Sequence, residues 1–173
     1  MVLVDAKRHF ASIVKIDLST VYTNKSVIVE KFINTLDQLL AEDNKYKVVN
    51  FDLEYTDDHA GHNQMVVVAQ LCLRHYVLVY HYCMATSPCE HFARFVNNPD
   101  YKITMVDTTN DLKVLKTSGL SCEKVVNIHG QYTVWGGMEK KQKDSLFDLA
   151  ATMIDPYYRD MKYVCGKENS VYH

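Results

Sequence analysis

Apolar positions along the chain change their spacing several times, and each spacing predicts a different element. Residues 9–22 alternate apolar and polar side chains, which is typical of a half-buried strand or hairpin. Between residues 24 and 42 the apolar residues recur at helical spacing, which predicts an amphipathic helix. The apolar positions that define its predicted face are Val27, Ile28, Phe32, Leu36, Leu39 and Leu40.

Three strands are predicted in succession in the middle of the chain. Residues 46–54, 65–73 and 76–82 are rich in β-branched and aromatic side chains. Only Arg74 and His75 separate the second strand from the third, so we expect a tight hairpin. Short connections of this kind favour antiparallel pairing.

Helices and strands alternate in the second half. Proline suits the first helical turn, so we expect a helix from Pro88 to Val96. The other predicted elements are a strand at 101–106, a helix at 110–117 stopped by Ser118-Gly119, a strand at 125–128 and a helix at about 139–154 that ends at Asp155-Pro156. This order predicts an α/β fold in which helices flank a mixed sheet of five or more strands. A length of 173 residues suits a single domain over 1–173.

Composition and charge narrow the class of protein. The net charge of −2 excludes a global basic field that would draw the chain to nucleic acid or membrane. Five cysteines without a CxxC motif indicate a reduced protein with buried thiols. The N-terminus carries charge too early for a secretory signal, and no apolar run reaches the length of a membrane span. We therefore expect a cytoplasmic or nuclear location and no membrane partner.

Two acids stand at the end of the strand predicted at 46–54. Asp52 and Glu54 are one residue apart, so a strand would present both carboxylates on one face. Hard divalent cations such as Mg²⁺ bind several oxygen ligands in fixed positions, and a rigid strand end supplies two of them. The alternative interpretation is a solvated strand terminus.

The surroundings of this pair resemble a known family. The stretch Phe51 to Tyr55 is similar to the first motif of the DEDD 3′–5′ exonucleases, and "VVVAQLCLRHYVLVYHY" resembles their strand hairpin. In "DTTNDLKVLKTSGL", Asp111 fills the position of an aspartate on the first turn of a helix. Over roughly residues 10–160 the chain most resembles the Werner-syndrome-type and RNase-D-type domains, especially the small plant exoribonuclease-like proteins.

The resemblance implies an RNase-H-like fold and a two-metal site. It implies that Asp52, Glu54 and Asp111 hold two Mg²⁺ or Mn²⁺ ions about 4 Å apart over a phosphodiester at the 3′ end of single-stranded RNA or DNA. One ion would activate the attacking water, and the other would stabilise the leaving oxygen.

One expected motif is missing from the chain. The family has a Tyr or His four residues before a final Asp, where it orients the attacking water. The aspartates after residue 111 are Asp144, Asp148, Asp155 and Asp160, and they follow Lys140, Asp144, Ala151 and Pro156 at that spacing. We therefore expect a domain truncated at its C-terminus relative to the family, with weak or absent activity. Asp155, Asp160, Glu168 or a second protomer are the candidates to complete the site.

Other groups of residues offer competing interpretations. His81, Cys83, Cys89 and His91 could bind zinc, or they are a buried cysteine pair with polar histidines nearby. Asp57, Asp58, His59 and His62 could touch metal or phosphate, or they form an ordinary polar loop. The basic stretches 139–143 and 159–162 could follow a phosphate backbone, or they are solvated helix faces.

Aromatic residues leave a second class of function open. Trp135, the only tryptophan, could stack on a base, anchor a subunit contact or pack within its loop. Twelve tyrosines exceed the needs of one core, which favours a homo-oligomer or a protein partner. A non-catalytic interaction protein, a pseudonuclease that binds a partner protein or paralogue, is therefore the alternative to a nuclease.

Overall fold

A computed structural model describes residues 18–42, 46–56, 64–106, 108–130 and 146–159. The chain divides into two compact units. One is Leu18–Ile128, and the other combines Met1–Asp17 with His129–His173. The larger unit contains the sheet and the three acids Asp52, Glu54 and Asp111, and the single domain expected over 1–173 stays a prediction. Among the helices within the described ranges, none is long and apolar enough to cross a membrane.

The described residues of the larger unit form six strands and three α-helices, and the helix Leu146–Met153 belongs to the other unit. In chain order the elements are β1 (Ser19–Thr23), α1 (Ser26–Glu42), β2 (Val48–Tyr55), β3 (Val66–Leu73), β4 (Tyr76–Tyr80), a 3₁₀ turn (Tyr82–Met84), α2 (Glu90–Val96), β5 (Lys102–Met105), α3 (Thr108–Thr117), β6 (Val125–Asn127) and α4 (Leu146–Met153).

The strands form one mixed sheet in the order β1-β4-β3-β2-β5-β6. Strand β3 pairs antiparallel with both β2 and β4, whereas the pairs β1–β4, β2–β5 and β5–β6 are parallel. The hairpin predicted around Arg74 and His75 is present, and Arg74 takes a left-handed conformation with φ 56°. The predicted α/β class and mixed sheet are therefore confirmed.

Helix α1 packs through a face that agrees with the predicted one at Phe32, Leu36 and Leu40 and differs from it in the first turn. Its buried residues are Val29, Phe32, Ile33, Leu36 and Leu40, which recur at helical spacing. The prediction also placed Val27 and Ile28 on this face, and that was wrong because both are exposed, at 58% and 37%. Three successive apolar residues open the helix, so the sequence alone does not distinguish between two neighbouring faces.

Several predicted boundaries shift by a few residues. Helix α2 begins at Glu90 rather than Pro88, and β4 ends at Tyr80 before the 3₁₀ turn. Helix α3 starts at Thr108, two residues before the predicted start, and ends at Thr117 as predicted, with Gly119 beyond it at φ 73°. The amide of Leu120 donates to Leu115 O at 2.8 Å, which closes the helix end as glycine in this conformation allows. Residues 9–17 and 139–145 lie outside the described ranges.

An aromatic cluster joins α2 to the sheet. The Phe92 ring is fully buried and meets Phe51 and Tyr80 edge-on, with ring centroids 6.1 and 5.4 Å apart. Tyr82 adds a tilted contact at 6.5 Å. Edge-to-face pairs of this kind stabilise a core beyond the area they bury. Because Phe51 directly precedes Asp52, the same cluster fixes the strand that carries the acid pair.

Candidate metal centre

Strand β2 places its acids on the face opposite the core. Val49, Phe51 and Leu53 are buried, and the residues between them are exposed. Asp52 and Glu54 therefore point to the same side, as period-two alternation predicts.

The sheet register fixes the neighbours of the pair. Asp52 lies opposite Gln70 of β3, and Glu54 lies opposite Val68. The register then shifts between Glu54 and Tyr55, so the ladder is irregular directly after the second acid. Bulges of this kind bend a strand and re-aim side chains, and they are common beside active sites. The position of Gln70 beside Asp52 follows from the hairpin register, which sequence periodicity alone does not provide.

Electrostatics disfavour two bare charges at this position. Partial burial raises the pKa of Asp52, although a hydrogen bond from the Leu53 amide lowers it in part. Burial also raises the pKa of Glu54, and the neighbouring negative charge of Asp52 raises it further. A bound cation would offset both effects, because it favours the ionised form of each carboxyl group. This pair of oxygen donors thus fits a hard divalent cation.

Stability without metal is expected to fall as the pH rises through the titration of this pair. The folded-state pKa values of both carboxyl groups lie above the ordinary values of 3.8 and 4.5. The folded state therefore binds these protons more tightly, and the stabilisation that results is present below the ordinary pKa values and lost above the folded-state pKa values. We expect Asp52→Asn to raise the melting temperature at about pH 7 in EDTA and to change it less at about pH 4. Because the site is exposed to solvent, we expect the free energy of unfolding to rise by less than about 0.5 kcal/mol. Thermal unfolding checks this, and a loss of stability at pH 7 would contradict it.

Asp111 lies in the first turn of α3, where a carboxylate suits the positive end of the helix dipole. Two residues just before it, Thr108 and Asn110, connect this turn to other parts of the chain. The Asn110 side chain donates to Gln64 Oε1 at 3.0 Å, and Asn127, the last residue of β6, donates to Thr108 Oγ1 at 3.1 Å. The position of Asp111 therefore depends on two hydrogen bonds that connect distant parts of the chain.

The other end of α3 is fixed as well. The Thr117 hydroxyl donates to Gln64 O at 2.6 Å, and the amide of Val66 donates to Ser118 Oγ at 2.8 Å. Gln64 thus contacts α3 at two points, nearly two turns apart. These hydrogen bonds hold helix α3 against the residues that lead into β3. Strand β3 is the neighbour of β2, which carries Asp52.

The predicted triad is only partly assembled in space. Within the residues that the structure describes, no group of three or more His, Cys, Asp and Glu side chains is arranged to hold a metal ion. Asp52 and Glu54 share one face, whereas Asp111 does not join them in a three-residue group. Mg²⁺ usually keeps several waters and binds through one or two carboxylates plus substrate phosphates, so the pair alone meets its minimum requirement. The role of Asp111 as a metal ligand stays a prediction.

The four residues considered as zinc ligands do not form a cluster in the described part of the chain. The His81 ring contacts Tyr22 in a tilted arrangement, and Cys83 is exposed in the 3₁₀ turn. Cys89 is buried with its thiol 3.6 Å from Ser26 O, and His91 lies 3.9 Å from both Glu30 and Asp37.

The prediction of buried thiols was correct for Cys89 and wrong for Cys83, which the 3₁₀ turn exposes. All four cysteines in the described part of the chain, Cys72, Cys83, Cys89 and Cys122, are free.

Several predicted candidates lie outside the described residues. The loop with Asp57, Asp58, His59 and His62 is among them, as are Trp135 and the basic stretch 139–143. Arg159 is described and exposed, and the rest of 159–162 lies outside. Asp160 and Glu168, candidates to complete the site, also lie outside. Their proposed roles stay predictions.

The sequence as a whole matches a family. Residues 28–171 fit the family model of 3′-5′ exonucleases, and this stretch contains Asp52, Glu54 and Asp111. The chain belongs to the 3′-5′ exonuclease family. It is a DEDD-type exonuclease domain, as the resemblance of its motifs implied. None of the curated protein sequences matches it significantly.

Solved exonuclease domains share the fold. The exonuclease domain of EXD2, from crystals soaked in Mn and GMP, superposes with a TM-score of 0.57 at 13% identity, covering 79% of this chain and 69% of that one. The same domain from crystals soaked in Mg and GMP gives the same values. The EXO domain of Aedes aegypti Nibbler gives a TM-score of 0.56 at 13% identity, over 80% of this chain and 71% of that one. At these identities the likeness confirms the RNase-H-like fold of this exonuclease-family chain.

Proposed function

We propose that this chain binds Mg²⁺ or Mn²⁺ through Asp52 and Glu54 and, with the metal, the 3′ end of single-stranded RNA or DNA. The pair of carboxylates on one strand face carries the proposal, because their mutual repulsion and partial burial favour a cation between them. Membership of the 3′-5′ exonuclease family supports it, and so do the Mn and Mg soaks of the EXD2 domain.

Each residue has a proposed part in this site. When bound, the metal would supply charge neutralisation for a terminal phosphodiester and polarise an attacking water. Asp52 and Glu54 anchor the ion to a strand that the Phe51 contacts make rigid. Asp111, fixed on α3, is proposed to reach the ion through a water or after a local shift, since Mg²⁺ retains part of its hydration.

We further propose that this chain turns over nucleic acid slowly or not at all. Its 173 residues contain no aspartate after Asp111 with a Tyr or His four positions before it. The described carboxylates also stop short of a three-ligand group. Removal of one preorganised hydrogen-bond donor at the reacting oxygen costs other enzymes about 3–4 kcal/mol, and we expect the loss of a ligand or water-orienting group to be of similar scale. The chain therefore keeps a binding site whose catalytic half is incomplete.

A pseudonuclease that binds a protein partner, a paralogue or a second copy of itself is the other candidate. Exposed apolar side chains favour it, because Leu18, Val27 and Met84 are 60%, 58% and 61% exposed. Asn24 donates to Met84 O at 3.4 Å, which connects the start of α1 to the 3₁₀ turn that carries Met84. A location in the cytoplasm or nucleus remains a prediction under either function.

Shortening of a 5′-labelled single strand tests the catalytic part. We expect the unaltered chain in Mn²⁺ to produce the ladder of 3′-shortened products no faster than Asp52→Asn does. The matched control is Asp100→Asn, which removes another exposed carboxylate just before β5. Shortening that is fast in the unaltered chain and in Asp100→Asn but lost in Asp52→Asn would show full catalysis and overturn the proposal of slow turnover.

A further inference from the structure

One row of residues crosses the sheet from the acid pair to the edge strand. Asp52 of β2 lies opposite Gln70 of β3, Gln70 lies opposite Val79 of β4, and Val79 lies opposite Tyr22 of β1. Residues opposite each other in neighbouring strands point to the same face of a sheet. Tyr22 and Asp52 therefore lie on the same face, three strands apart, which corresponds to about 14 Å at the usual strand spacing.

Tyr22 is largely exposed on this face of the edge strand β1. Its side chain is 69% exposed, whereas its strand neighbours Val21 and Thr23 are partly and fully buried. The ring of His81 lies against it, with centroids 4.3 Å apart and planes tilted by 58°. The His81 amide also donates to Thr23 O at 2.9 Å, which fixes the backbone beneath the ring pair. The result is a supported aromatic surface at one end of the row.

Because the charge of the chain attracts phosphates only weakly, an aromatic surface of this kind can contribute to the binding of nucleic acid. A net charge of −2 provides little general attraction for phosphates, and Asp52 and Glu54 repel them when no cation is bound. Base stacking on aromatic rings does not depend on charge and tolerates any base. Stacked nucleotides rise by about 3.4 Å each, so about four of them span the row, and fewer span it if the strand is extended.

We propose that Tyr22, supported by His81, is a base-stacking platform for a nucleotide upstream of the 3′ end held at Asp52 and Glu54. This rests on the proposed function, because the platform acts on the strand that the acid pair anchors. Tyr22 is a positioning residue that contributes to affinity and length preference. It takes part in no bond-making step. The ligand class is single-stranded RNA or DNA long enough to reach across β3 and β4.

Binding of two probes tests the platform. We expect Tyr22→Ala to weaken the binding of a fluorescent oligothymidylate of about eight nucleotides by about tenfold or more in Mn²⁺, measured by anisotropy. Tyr22→Phe is expected to keep most of the affinity, because it retains the ring. Binding of dTMP, measured by thermal shift, is expected to be the same in all variants, because one nucleotide cannot span the row.

Tyr46→Ala is the matched control, since Tyr46 is 61% exposed but precedes β2 at the end remote from Glu54. Equal losses in Tyr22→Ala and Tyr46→Ala, or no loss in Tyr22→Ala while the oligonucleotide still binds, would overturn the platform and leave the proposed function intact. Failure of the unaltered chain to bind either probe would overturn both. A selective loss of the longer probe in Tyr22→Ala supports the platform.

Discussion

Millimolar Mn²⁺ is expected to raise the melting temperature of the unaltered chain and to leave that of Asp52→Asn unchanged. A ligand that binds only the folded state stabilises it by about 2.7 kcal/mol when its free concentration is 100 times Kd. For a chain of this length that corresponds to about 5–10 °C. The substitution removes one of the two carboxylates on the β2 face, so the remaining Glu54 would bind the ion far more weakly.

Two comparisons make this result specific. Asp100→Asn is expected to keep the full shift, because this exposed acid precedes β5 and lies outside the row on β2. The metal is also expected to change which of the two proteins is the more stable at about pH 7. Without metal Asp52→Asn is the slightly more stable protein, and with metal the order reverses. An equal shift in the unaltered chain and in Asp52→Asn would place the ion elsewhere and contradict the site.

Replacing Phe92 with alanine is expected to have the largest effect on the fold. The ring is fully buried and contacts Phe51, Tyr80 and Tyr82, so its removal leaves a cavity between α2 and the sheet. Substitutions of this type reduce the free energy of unfolding by about 3–5 kcal/mol. Urea unfolding followed by circular dichroism measures the change.

Milder variants keep this prediction testable if Phe92→Ala does not fold. Phe92→Leu retains much of the volume and is expected to lose less than Phe92→Ala. The control Val27→Ala alters an apolar residue of α1 that is 58% exposed, and we expect a change within about 0.5 kcal/mol. A larger loss for Val27→Ala than for Phe92→Leu would show that the aromatic cluster is not the centre of this core.

Element types were predictable here because local spacing determines them. Period-two alternation predicted that Asp52 and Glu54 share one face of β2, and the structure places both on the exposed face. The two residues between β3 and β4 predicted the hairpin even though Arg74 is an unusual residue for a positive φ. The prediction for α1 was wrong only in its first turn, because Val27, Ile28 and Val29 are all apolar and the residues they pack on decide which of them is buried.

The distance between the predicted metal ligands could not be obtained from the sequence. Motif order identifies Asp111 as the family's helix acid, but hydrogen bonds from remote residues set its place in space. Gln64 lies 46 residues before its partner Asn110, and Val66 lies 52 residues before Ser118. No local pattern encodes such pairs, so a sequence can name three acids without showing how closely they meet.

The double attachment of Gln64 restricts how the site can tighten. Its side chain accepts a hydrogen bond from Asn110, and its carbonyl accepts one from Thr117, at 3.0 and 2.6 Å. Rotation of α3 about its own axis would break at least one of them. The α3 backbone that carries Asp111 is therefore coupled to the entry of β3, so movement of this helix towards β2 would shift the neighbouring strand as well.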